Sequence, residues 1–166
     1  PSGEEVLEWS QVILAVGHSA RDTFETLYSM GLPMEAKAFS VGARIEHPAA
    51  VIDQAQYGKF AGHPALGAAD YKLSCHLENG RGVYTFCMCP GGYVTGAASE
   101  EGGVVTNGMS PWARDGQNSN AALLVGVTPA DYGAEGPLAG IAFQRRIEQA
   151  AFQAAGGEYS APAQRV

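Results

Sequence analysis

Two stretches of this chain carry residue types that could do chemistry, Cys87-Met88-Cys89-Pro90-Gly91-Gly92 and Ala15-Val16-Gly17-His18-Ser19. In the first, two thiols stand one residue apart. Side chains alternate along a strand, so Cys87 and Cys89 are expected on one face with Val83 and Thr85, opposite Tyr84, Phe86 and Met88. Three readings of the pair stay open. Buried cysteines serve as small apolar packing residues. A metal site would need Cys75 and His76 from across a hairpin, because C-x-C falls short of the usual ligand spacing. A redox or cofactor-facing pair is the third reading, and it makes Cys87 and Cys89 the candidate catalytic residues. A disulfide between them is not expected, since i and i+2 Cα atoms on a strand lie roughly 6.5–7 Å apart, at the limit for a bridge. Cys89, nearer the glycines, is expected to react faster. Pro90 ends the ladder for lack of an N–H, and Gly91-Gly92 lets backbone come close to a neighbouring segment or a ligand.

The second stretch follows the apolar run Gln11–Val16, which predicts a buried strand of parallel type. Ser19 with Asp22 three residues on predicts a capped helix carrying Phe24, Leu27 and Tyr28, stopped by Gly31 and Pro33. A strand, a glycine turn and a helix N-terminus make a place where anions and nucleotides sit. A plain strand–helix corner has the same pattern, and the chain holds no G-x-G-x-x-G. The remaining histidines, His47, His63 and His76, have no nucleophile or base near them in the pattern, so Ser/His/Asp hydrolysis is not supported.

The elements that would position these residues follow in order. Lys37–Glu46 predicts a strand and Ala49–Tyr57 a helix, opened by Pro48 and closed by Gly58. Lys59–Ala69 predicts a loop. Asn79-Gly80 predicts a hairpin turn, with positive φ at both residues, between strands Tyr71–Leu77 and Val83–Cys89. Tyr93–Ala98 and Val104–Thr106 predict a second hairpin, which would extend the sheet as a meander. Asn107–Asn120 predicts a long polar loop, Ala121–Val127 a strand, and Leu138–Ala155 a helix with Gly140, Phe143, Ile147, Ala150, Ala151 and Ala154 on one face. The expected class is α+β: an antiparallel or mixed sheet with helices on one face, a two-layer sandwich.

Composition narrows the function. At 166 residues, 46% hydrophobic and 16% charged, the chain can bury a core unaided. A net charge of -7 without a Lys/Arg cluster argues against nucleic acid or an anionic membrane as partner. No apolar run reaches the ~20 residues of a membrane span, and no leader is evident, so a cytoplasmic location is expected. Three cysteines, an odd number, do not suggest a secreted disulfide framework.

Four motifs in order, Val12–Asp22, Val41-Gly42-Ala43-Arg44-Ile45-Glu46-His47-Pro48, Arg81–Gly92 and Val105-Thr106-Asn107-Gly108-Met109-Ser110, resemble a family of bacterial FAD-dependent oxidoreductases (dehydrogenases) over nearly the whole chain. Ala15-Val16-Gly17 resembles the Ala-Thr-Gly segment that lies by the cofactor in two-dinucleotide-binding flavoproteins, with Val16 in place of Thr. The resemblance implies that residues 1–33 are a strand–helix edge of an FAD-binding domain and 34–166 an inserted or C-terminal α+β domain. It implies FAD in the full-length parent rather than in this segment alone, with Ala15, Gly17, His18, Ser19, Pro90, Gly91 and Gly92 nearest the flavin. The implied partners are the FAD-binding domain of the same chain and a small-molecule substrate, and the implied role is a substrate-side or cap domain. A non-enzymatic ligand-binding or interface module, and a small zinc module, are the alternatives.

Overall fold

The computed structural model describes residue 3 and residues 5–166, which fall into a unit ending at Leu32 and a unit spanning Pro33–Val166. In the first, the helix α1 (Arg21–Ser29) ends as expected at Gly31, whose φ of +85° only glycine adopts easily. The N–H groups of Gly31 and Leu32 return to the carbonyls of Tyr28 and Leu27 at 2.9 and 3.2 Å. The start differs from the expectation. The cap position falls on Ala20, one residue past Ser19, and Asp22 accepts the Thr23 N–H at 2.8 Å instead of closing a capping box.

The expected strand at Gln11–Val16 is absent among the described residues: Val12 is 83% exposed and Ile13 91%. A buried strand of parallel type needs a neighbouring strand and cover on both faces, and this stretch pairs with none of the described strands.

The second unit is built on one antiparallel sheet. Its strands are β1 (Phe39–Pro48), β2 (Ser74–His76), β3 (Gly82–Cys89) and β6 (Asn118–Val127), in the order β1-β6-β3-β2. β4 (Tyr93–Ala97) and β5 (Val105–Met109) form a separate hairpin, so the meander expected from the sequence is two sheets. β6 is central, pairing with β1 from Phe39↔Val127 to Pro48↔Asn118. It begins earlier than the sequence suggests, and the loop before it shrinks to 110–117. Asn118 and Asn120 are poor strand formers, but Asn118 Nδ2 finds Glu46 and Asn120 Oδ1 finds Arg44 across the sheet.

Alternation divides the sheet. Odd-numbered residues of β1 and β6, Phe39, Val41 and Val127 among them, meet Tyr132, Ala139 and Phe143 in the core. Phe39 stacks on Tyr132 at 5.2 Å between centroids and meets Phe143 edge-on at 6.1 Å. The Phe143 and Ala139 contacts come from α3 (Ala139–Ala154), which matches its expected span and ends in a Gly156 cap with φ +79°. The helix is turned from the expected face: Ala139 and Glu148 are buried, and Ile147 is 42% exposed. Arg145 clamps Glu100 in the β4–β5 turn with contacts of 2.6–3.1 Å. The class is α+β.

The helix α2 (Ala49–Tyr57) and its Gly58 stop lie where the sequence put them. The β2–β3 hairpin forms too, but its turn is wider than two residues. Leu77 N–H bonds the Arg81 carbonyl at 2.9 Å, leaving Glu78, Asn79 and Gly80 in the loop. Among these, only Gly80 has positive φ, and Asn79 instead accepts the Arg81 N–H on its side chain at 3.0 Å. Arg81 then grips Asp131 with two bonds of 2.8 and 3.1 Å, and Asp131 accepts the Thr128 N–H at 2.8 Å. That pair ties the hairpin to the turn Pro129–Asp131 after β6.

Candidate functional site

The Cys87–Gly92 stretch departs from simple alternation. Phe86 pairs with Ala122 but Cys89 pairs with Asn120, so one extra residue is inserted between them. Cys87 takes φ +47°, a left-handed conformation that costs a non-glycine residue about 1–2 kcal/mol. The bulge turns Cys89 onto the even face, with Tyr84 and Phe86, where simple alternation would set it opposite them. Exposure also reverses the expected order of reactivity: Cys87 is exposed and Cys89 buried. Burial pushes the Cys89 thiol up, against the pull of the nearby Arg44 charge.

The even face of the sheet gathers a polar cluster here. Arg44, in the middle of β1, donates from Nε to Asn120 Oδ1 at 2.8 Å, and from Nη2 to the Cys87 carbonyl at 2.6 Å and Cys89 Sγ at 3.6 Å. The bulge is what turns the Cys87 carbonyl toward the guanidinium. Asn120 is fully buried, and its Nδ2 has no partner among the described residues. Gly108 of β5 closes the cluster from above; a Cβ there would lie 2.3 Å from Arg44 Nη2 and 2.4 Å from Asn120 Oδ1. Beside it, Glu46 accepts from Asn118 Nδ2 at 2.6 Å and from the Val94 N–H at 3.3 Å.

Pro90, Gly91 and Gly92 are buried against the chain itself. A Cβ on Gly91 would fall 1.9 Å from the Arg114 carbonyl oxygen, and one on Gly92 2.2 Å from that of Met109. Gly116 N–H bonds the Gly91 carbonyl at 3.1 Å, and Ser119 Oγ accepts the Gly91 N–H at 3.0 Å. The close approach these glycines permit is thus filled by the 109–116 segment, and as placed they do not fit a flavin. Ala15, Gly17 and His18 are exposed, and Gly17 has φ +77° with nothing among the described residues within 4 Å of a Cβ placed there. Ser19 Oγ lies 3.3 Å from His18 Nε2.

Cys75 is exposed, and among the described residues no group of three or more His, Cys, Asp or Glu could hold a metal. His63 caps its own loop, with Nδ1 accepting the Ala65 N–H at 3.2 Å. His47 Nε2 meets Tyr71 Oη at 2.8 Å, and burial pushes the Tyr71 phenol up. No helix among the described residues is long and apolar enough to cross a membrane.

Sequence reasoning missed Arg44 and Asn120 as site residues. The signal is present in weak form: an Arg in the middle of an expected strand and an Asn at the mouth of an apolar one.

Two comparisons bear on what this domain is. A protein of Clostridium beijerinckii described as uncharacterized is 54% identical over 156 residues, covering 93% of this chain and 29% of that protein. The chain therefore spans under a third of that relative. The family described as FAD-dependent protein, C-terminal domain-like, matches residues 38–166, which include the whole of the sheet, the Cys87 bulge and the Arg44 cluster. The chain belongs to that family of C-terminal domains of FAD-dependent proteins.

Proposed function

We propose that this chain is the substrate-side or cap domain of a longer FAD-dependent oxidoreductase, with residues 1–33 the edge of its FAD-binding domain and 34–166 the C-terminal domain. The observation that carries the reading is the Cys87 bulge against Arg44: a strained backbone, a half-buried cation and two thiols meet within the segment that belongs to the family. Strain of this kind collects where a site must be held in one geometry. Val12–Val16 supports the same reading, because an apolar run this exposed has the composition of an interior strand and none of the described strands beside it. In the parent it would complete the sheet of the FAD-binding domain, leaving Ala15, Gly17, His18 and Ser19 as the residues of this chain that reach the cofactor.

The flavin, when bound by the parent, would supply the acceptor for the electrons of the oxidised substrate. The residues of this chain would bind and orient that substrate: Arg44 through its charge, Asn120 by fixing the guanidinium, and Cys87 as an exposed thiol at the rim. Cys89, buried and neutral, would pack under them. A non-enzymatic interface module is the second reading, favoured by the exposure of Val12 and Ile13. The absorbance of the full-length protein separates the two. Bound flavin that a substrate bleaches supports the first, and a colourless full-length protein sinks it.

A further inference from the structure

Arg44 is a cation short of an anion. Its side chain is half-buried, and among the described residues it ion-pairs with no carboxylate. Its three internal acceptors are all neutral: the Asn120 amide, the Cys87 carbonyl and the Cys89 thiol. Glu46, two residues along the same strand face, is held by Asn118 and the Val94 N–H. A partly desolvated charge without a counter-charge is costly.

The hydrogen-bond count says where the missing partner would bind. A guanidinium carries five N–H donors. Nε uses one on Asn120 and Nη2 directs its two at Cys87 and Cys89, which leaves the pair on Nη1. The Asn120 amide is polarised in the same sense, since its oxygen is taken by Arg44 and its buried Nδ2 has no acceptor among the described residues. The cluster is therefore rich in donors and short of acceptors, built on rigid sheet with Gly108 packed across it.

We propose that Arg44, held in place by Asn120 and the Cys87 carbonyl, is a carboxylate-binding site, and that the substrate of this domain is a small organic acid. The proposal rests on the substrate-side reading above and names the chemical class for it. The two N–H groups on Nη1 and the single positive charge suit one carboxylate, whereas a phosphate dianion asks for more positive charge than a lone guanidinium provides in a chain of net charge -7.

The test needs no flavin. The Arg44 Nε–H resonance of this chain is followed by NMR while benzoate, and separately inorganic phosphate, is added at constant ionic strength. The expected result is a saturable shift with benzoate and weaker binding of phosphate. In Arg44→Gln, benzoate affinity followed on the backbone resonances of Cys87 and Asn120 should fall at least tenfold, and Arg44→Lys should recover part of it. Thermal melts of both variants report whether they fold, and the wild-type titration stands if one does not. No saturable shift with benzoate, equal affinity in folded Arg44→Gln, or phosphate binding tighter than benzoate would each overturn the proposal. Any of these would leave the flavoprotein reading intact, since that falls only with a full-length protein that lacks flavin.

Discussion

Cys87 holds a left-handed backbone, φ +47°, at the residue inserted into β3 opposite β6. Strand alternation is a sound expectation until a residue is inserted, and a bulge with a left-handed cysteine leaves no trace in hydrophobic pattern because glycine, its usual marker, is absent at that position. The consequences are measurable. Thiol labelling of the folded chain should modify Cys87 and Cys75 quickly and Cys89 only on unfolding, as read by mass spectrometry; fast labelling of Cys89 would contradict the placement. Replacing Cys87 by Gly should leave stability unchanged or raise it by up to about 1 kcal/mol, and replacement by Val should lower it by about 1–2 kcal/mol. Urea midpoints of the two variants check this. The raised Cys89 thiol also carries a sign. The folded state holds the proton more tightly, so stability is full below the ordinary thiol value of 9.0 and falls as pH rises beyond it. Cys89→Ser should flatten that alkaline limb.

At the level of elements, what was legible depended on punctuation. Gly31, Gly58 and Gly156 mark helix ends that the structure keeps, because a left-handed cap demands glycine and the demand is local. Pro48 likewise marks the start of α2. The partition into two sheets, and the insertion of β6 between β1 and β3, depend on pairings between strands far apart in sequence, from Cys89↔Asn120 to Phe39↔Val127, and nothing local announces them. Gly91 and Gly92 were legible as a close approach but not as to what approaches. Gly92→Ala would push a Cβ into the Met109 carbonyl and should cost about 1–3 kcal/mol, measured by denaturant melts, as overpacking does. The Arg81–Asp131 clamp was invisible for the same long-range reason. Arg81 and the Thr128 N–H hold the Asp131 carboxyl well below its ordinary 3.8, so its contribution is full above that value and drains away as pH falls below it. Asp131→Asn should flatten the acid limb of stability against pH.

For the molecule as a whole, the α+β class and the family were both accessible from sequence, the first from the succession of strand and helix patterns and the second from four motifs in a fixed order. The donor cluster on the even face was not, because its parts come from β1, β3, β5 and β6 and meet only after folding. Under the proposed function this chain is the substrate-facing part of a larger flavoprotein, with the phosphate cradle for the dinucleotide elsewhere in the parent. The measurement that tests this most directly is the visible absorbance of the purified full-length protein beside that of this chain alone. The expected result is stoichiometric, reducible flavin in the full-length protein and a folded, colourless 166-residue chain. A full-length protein without flavin, or stoichiometric flavin in this chain by itself, would contradict it.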